Sequence, residues 1–235
     1  LWLCRSAFSG DQWRDWARVF DPARLKRMLV VNADIMIRSV ILMGSFTTFL
    51  FLAADLGDVP LAANQVLLQF LEIMAFALDG FAFAAETLVG TAVGAGSRSR
   101  VRRAAVLTSQ WGAGGAVLLA LVFLFSGPAI IDLMTTAPEV RAEARSYLPW
   151  VAVAPLIGIA SWMFDGIFFG ATWTAEMRRA MILSVAIYAA ALVVLVPALG
   201  NHGLWASLMI LNAARGVTLG WQYPGLERRV GQGAG

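Results

Sequence analysis

Residues 61–93 read LAANQVLLQFLEIMAFALDGFAFAAETLVGTAV, thirty-three residues with three charges, Glu72, Asp79 and Glu86, and no proline. About 20 apolar residues cross the hydrocarbon core of a bilayer as a helix. Lipid offers no hydrogen bonds, so a spanning segment must satisfy its own backbone as a helix or within a closed barrel. A barrel strand alternates polarity over about ten residues. The apolar run here is long and unbroken, so it is a helix. At about 1.5 Å per residue it exceeds the bilayer by about ten residues. It must tilt, bend near Gly80 or project into the cytoplasm.

Five similar runs flank it, at 35–55, 104–126, 146–171, 179–199 and 203–222. The fold expected is an all-α membrane protein, a bundle of six transmembrane helices. Pro149 and Pro155 predict a kink in the fourth span. Composition agrees: 59% of residues are hydrophobic, 14% are charged and the mean hydropathy is +0.71. A soluble domain carries about 25% charged residues and 45–50% apolar ones. Residues 1–34 are more polar. Between Asp11 and Leu29, aromatic residues alternate with arginines, which fits either an amphipathic surface helix broken near Pro22 or a plain linker. The organisation expected is therefore a cytoplasmic linker over 1–34, a six-helix lobe over 35–222 and a tail over 223–235.

Loop charges orient such a bundle. The N-terminal segment, the loop Ser97–Arg103, the turn Met177–Arg179, the tail, and Arg38 and Arg215 at matching helix ends hold 16 of the 18 basic residues. The opposite side holds Arg141 and Arg145. Both termini are expected on the cytoplasmic side. Basic residues in short loops of this kind orient a membrane protein, so lipid rather than nucleic acid is the expected partner.

Charged groups at membrane depth cost about 2.5–3.5 kcal/mol on insertion scales and so face protein or water. Gln65, Glu72, Asp79 and Glu86 recur every seven residues, close to two helical turns, and share one stripe. Gln69 and Phe76 lie beside it. The stripe is expected to line a hydrated cavity, although Glu86 could also reach the cytoplasmic headgroups. Asp165 is the other deep carboxylate, set among Trp162, Phe164, Phe168 and Phe169. Desolvation can tune such a group for proton exchange; alternatively it is locked to an arginine or a backbone donor. Trp162, Phe164 and Phe168 are candidate cavity residues, with aromatic faces suited to organic cations. Asp34 and Arg38, four residues apart, read as a structural ion pair. Arg215 reads as a structural partner for a carboxylate. His202 reads as an exposed turn residue. Residues 78–85 (LDGFAFAA) and 164–171 (FDGIFFGA) form a weak repeat, by duplication or by coincidence.

No Walker loop, Ser-His-Asp arrangement or metal triad is present, so neither an enzyme nor a bound cofactor is expected. One cysteine, Cys4, and one histidine exclude an internal disulfide and Cys- or multi-His metal sites.

The succession Asn32-Ala-Asp-Ile-Met-Ile-Arg38, Leu61-Ala-Ala-Asn-Gln-Val66, Leu78-Asp-Gly-Phe-Ala-Phe-Ala-Ala-Glu86 and Leu88-Val-Gly-Thr-Ala-Val-Gly-Ala95 resembles the start of the C-terminal lobe of MATE-family transporters, in the DinF-like branch. Phe164-Asp-Gly-Ile-Phe-Phe-Gly-Ala-Thr172, Gly200-Asn-His-Gly-Leu-Trp205 and Ala214-Arg-Gly216 extend the resemblance over most of residues 30–220. It implies one lobe of a twelve-helix antiporter in a bacterial inner membrane, exporting organic cations or other drugs against H⁺ or Na⁺. It implies a cation-site role for Asp165. The sodium-coupled branch also has a glutamate in the first helix of this lobe, and Leu42 stands there, which favours protons over Na⁺. The partner implied is the N-terminal lobe, upstream in a longer chain or on a second half-transporter. Two rival readings are a lipid-linked precursor flippase, which favours a cationic cavity, and a non-transporting scaffold.

Overall fold

The computed structural model describes residues 20–232, with side chains to Val230. These form six long helices: α1 Pro22–Ala54, α2 Asp58–Gly94, α3 Arg98–Met134, α4 Pro138–Gly170, α5 Thr174–Leu199 and α6 Asn201–Gln232. Five are long and apolar enough to cross a membrane. The exception, α6, is long enough but carries Asn201, Ser207, Asn212, Arg215 and Thr218, all buried. Those groups meet protein, so this helix does not need a wholly apolar surface.

Pro22 opens a helix where the sequence suggested a break. The Asp21 side chain accepts from the Ala23 amide at 2.9 Å. Proline in the first turn loses no bond that the helix would otherwise make. Residues 22–34 thus continue without interruption into the first span, and no break marks residue 35. The rest of the expected surface helix, with Trp13 and Trp16, lies outside the described residues. The last helix runs to Gln232, past the expected boundary at 222. α2 continues through Gly80 as one helix, and α4 through Pro149 and Pro155.

The turns follow from local chemistry. α2 ends with Gly96 at φ +63°, its amide bonded to Val93 O at 2.9 Å and the Ser97 amide to Ala92 O at 3.1 Å. That is the glycine-terminated helix end which satisfies two orphan carbonyls. α4 ends with the same pair of bonds, Thr172 to Phe169 O and Trp173 to Phe168 O, but a threonine takes the left-handed position at φ +57°.

α4 is the centre of the bundle and packs along α2, α3 and α6; α1 lies mainly along α5, with small contacts to α2 and α6. Glycines let α2 and α4 touch. A Cβ on Gly166 would collide with the Ala82 backbone, and one on Gly170 with Glu86 O. One core gathers Phe49, Leu67, Phe70, Phe123 and Trp205, with edge contacts Phe49–Trp205 and Phe70–Phe123 at ring separations of 5.2 and 5.3 Å. A second gathers Val89, Val101, Ile167, Phe168, Met177 and Leu226. Buried Asn64 ties α2 to α6: its Oδ1 accepts from Trp205 Nε1 at 2.9 Å and Asn201 Nδ2 at 3.1 Å, and its Nδ2 donates to Asn201 Oδ1 at 2.7 Å. At the α3–α4 turn, Arg145 donates to both Asp132 oxygens, and Arg141 donates to the carbonyls of Asp132 and Thr135.

A charged cavity between four helices

A cavity of about 520 Å³ lies between α1, α2, α4 and α6. That volume is in the range of small-molecule sites, about 300–1,000 Å³. α2 contributes Glu72, Asp79 and Glu86, whose seven-residue spacing sets them on one side of the helix. α4 contributes Trp162, Asp165 and Phe169, α1 Arg38, and α6 Asn212 and Arg215. Four acids and two arginines give these walls a formal charge of −2. The two aspartates of the repeated Asp-Gly motif thus reach one space from different helices.

Asp165 sits at the junction. Its Oδ2 accepts from Arg215 NH2 at 2.6 Å and also from Arg38 NH2, while Oδ1 is buried without a hydrogen-bond partner. Arg215 further donates to Asn212 Oδ1 at 3.2 Å and lies over the Trp162 ring, 5.6 Å from its centroid. Arg38 lies 5.4 Å from the Phe169 centroid. A carboxylate shared by two guanidiniums is compensated despite its burial, because each ion pair offsets the cost of removing charge from water.

Several expectations need correction. Arg38 does not pair with Asp34. It reaches Asp165 across the bundle, while buried Asp34 is bound by Arg178 and by Thr174 Oγ1 at 3.1 Å, both on α5. Helical spacing permitted the local pair, but the two side chains meet different neighbours. Phe168 does not line the cavity: it is fully buried in the second core against Trp173. Phe164 packs on Tyr223 at 5.9 Å and against Gly220, also outside the lining. Gln65 and Gln69 are exposed and outside it as well. Glu72, Asp79, Glu86 and Trp162 do line it. So does Leu42. Arg215 pairs with a carboxylate as expected. His202 is exposed in the first turn of α6, where its Nδ1 accepts from Trp150 Nε1 at 3.1 Å and its ring meets Tyr147 at 4.6 Å. Arg38 and Phe169, which the sequence offered only as a partner of Asp34 and a neighbour of Asp165, line the cavity, and so does Asn212, which the sequence did not single out. One signal could have found Arg38: with Arg215 it is a basic residue inside an apolar segment, and deep acids need deep cations.

Residues 35–195 match the MatE family. DNA damage-inducible protein F of Escherichia coli K12 is 40% identical over 197 residues, covering 83% of this chain and 42% of that protein. A probable multidrug resistance protein NorM of Pseudomonas aeruginosa is 28% identical over 194 residues, covering 77% and 39%. Among solved structures, the bent form of the Vibrio cholerae MATE transporter VcmN superposes with a TM-score of 0.81 at 18% identity, covering 97% of this chain and 52% of that one. A MOP-superfamily transporter from Pyrococcus furiosus, described for the reverse polarity of its binding pocket, gives 0.77 at 14% identity, covering 84% and 44%. At those identities the structures speak for the fold alone. The chain spans about half, or less, of the length of these relatives. With the family matched over residues 35–195 and 40% identity to a DinF protein over 197 aligned residues, this multi-pass membrane chain belongs to the MATE family of transporters.

Proposed function

We propose that the chain is one lobe of a secondary antiporter that exports small organic cations, or other drugs and metabolites, in exchange for protons across a bacterial inner membrane, with both termini cytoplasmic. The observation that carries this reading is Asp79 and Asp165 lining one cavity of ligand size beside Trp162 and Phe169. A formal charge of −2 favours cationic cargo, and aromatic faces add cation–π attraction. Asp165 and Asp79 carry the proton or cargo charge, with Glu72 and Glu86 extending the acidic wall. Leu42 supports protons over Na⁺, since a sodium ion prefers several oxygen ligands and this position supplies none. The cavity is completed by a second six-helix lobe, on the same polypeptide or another. The experiment is Asp165→Asn in the full-length protein reconstituted in liposomes. Cargo-driven proton flux is lost while folding persists; undiminished flux removes Asp165 from the mechanism.

Arg38 and Arg215 both line the cavity, and this favours a second reading, a flippase for lipid-linked precursors held by their pyrophosphate. Four carboxylates around two guanidiniums weigh against it. Binding of ethidium against an undecaprenyl-pyrophosphate analogue separates the two.

A further inference from the structure

The two arginines on Asp165 are held very differently. Arg215 is buried between α4 and α6, bonded to Asn212 and stacked near Trp162. α4 and α6 pack along each other, so that guanidinium is fixed. Arg38 comes from α1, which rests mainly on α5. Among the described residues its hydrogen bond goes to Asp165 Oδ2, its guanidinium lies 5.4 Å from the Phe169 centroid, and its side chain borders the cavity. The ion pair therefore links the least embedded helix of the site to the central one, at a carboxylate that faces the cargo space. Asp79 lines the same cavity as Arg38 and Asp165.

Resting on the antiporter reading, we infer that Arg38 is a tethered cation: it occupies Asp165 while the cavity is empty, competes with cargo and protons for that carboxylate, and couples the loading of Asp165 to the position of α1. When a proton or a cargo cation takes Asp165, Oδ2 no longer needs two guanidiniums. Arg215 stays, because its other contacts hold it. Arg38 is released and finds Asp79 as the alternative acid. The bond between α1 and α4 then opens, and α1 keeps its main seat on α5, fastened by Asp34 with Arg178 and Thr174, and its small contacts with α2 and α6. The buried oxygen Oδ1 has no hydrogen-bond partner in this state, and it is the acceptor an arriving donor reaches once Arg38 has left. Arg38 is thus a positioning residue that sets the affinity of the acid for cations.

The test uses the full-length transporter in lipid, with spin labels on Val40→Cys in α1 and Leu156→Cys in α4, both exposed positions, in a cysteine-free background. Asp165→Asn and Arg38→Gln should each move the label distance to longer values, while Arg38→Lys keeps the wild-type distribution. Tetraphenylphosphonium should bind Arg38→Gln about tenfold more tightly than wild type, the scale of one charged hydrogen bond no longer competed for. A merely structural cross-link predicts the opposite, since loosening the site weakens binding. Unchanged distances in both Asp165→Asn and Arg38→Gln, or weaker binding by a folded Arg38→Gln protein, overturns the inference. If tetraphenylphosphonium binds no variant, the cargo assignment fails, and the distances alone decide the role of Arg38.

Discussion

Gly80 and Gly166 each follow an aspartate in the repeated motif, and the structure assigns them opposite sensitivities to one methyl group. A Cβ on Gly80 meets nothing within 4 Å. A Cβ on Gly166 would lie 2.9 Å from the Ala82 carbonyl carbon and 3.0 Å from its Cα, with the carbonyl oxygen closer still. Carbon pairs settle at about 3.5–4.0 Å, and the obstacle is backbone whose oxygen lies nearer still, so α2 and α4 must part by about 1 Å. Overpacking of this kind costs about 1–3 kcal/mol. Replacing glycine by alanine within a helix gains about 1 kcal/mol at either position, so the difference between the two variants isolates the clash. At about 2–4 °C per kcal/mol for 150–250 residues, a 2 kcal/mol difference separates their melting temperatures by about 4–8 °C if the lobe melts as a unit. The assay is thermal unfolding in detergent, followed by tryptophan fluorescence. Gly80→Ala should melt at or above wild type and Gly166→Ala below it. Equal melting of the two variants would refute the close approach of α2 and α4 beside Asp165.

Arg178→Gln strips Asp34, which is 2% exposed, of its cation and should cost about 2–3 kcal/mol, less than for a fully buried pair because Arg178 is partly exposed; Asp34→Asn in the same protein should recover part of it, as a double-mutant cycle in urea would read. Asn64→Ala leaves buried donors on Trp205 and Asn201 without their acceptor and should cost about 2–4 kcal/mol, whereas Trp205→Phe, which removes the donor itself, leaves Asn64 still bonded to Asn201 and costs less in hydrogen bonding. Thr172→Gly relieves a β-branched residue from φ +57° and should stabilise by about 1 kcal/mol, seen as a higher melting temperature. Asp132→Asn breaks half-exposed pairs to Arg145 and Arg141 and should cost about 1 kcal/mol or less, with the loss shrinking further in high salt.

Much of the fold is legible in residues 61–93 and their five counterparts, because the bilayer imposes one demand on every spanning segment and hydropathy reports it directly. Helix ends are less so. Pro22 breaks a pattern on paper and opens a helix in three dimensions, since the Asp21 cap decides which role it plays. In the site, the acids were legible because charge at membrane depth is costly wherever it occurs. Their partners were not. Arg38 stands one helical turn from Asp34 and pairs 127 residues away with Asp165, and Phe168 sits three residues from Asp165 and turns into the core.

By itself, then, the chain's order of residues determined six long helices, five of them apolar enough to cross a membrane, and which of them carry carboxylates, properties set by local composition against a uniform solvent. Only the tertiary structure decided which arginine meets which acid, which aromatic rings face the cavity, and why Gly166 but not Gly80 must lack a side chain. Those depend on the rotation and separation of helices far apart in sequence, and a difference of one residue in facing moves a group from wall to core.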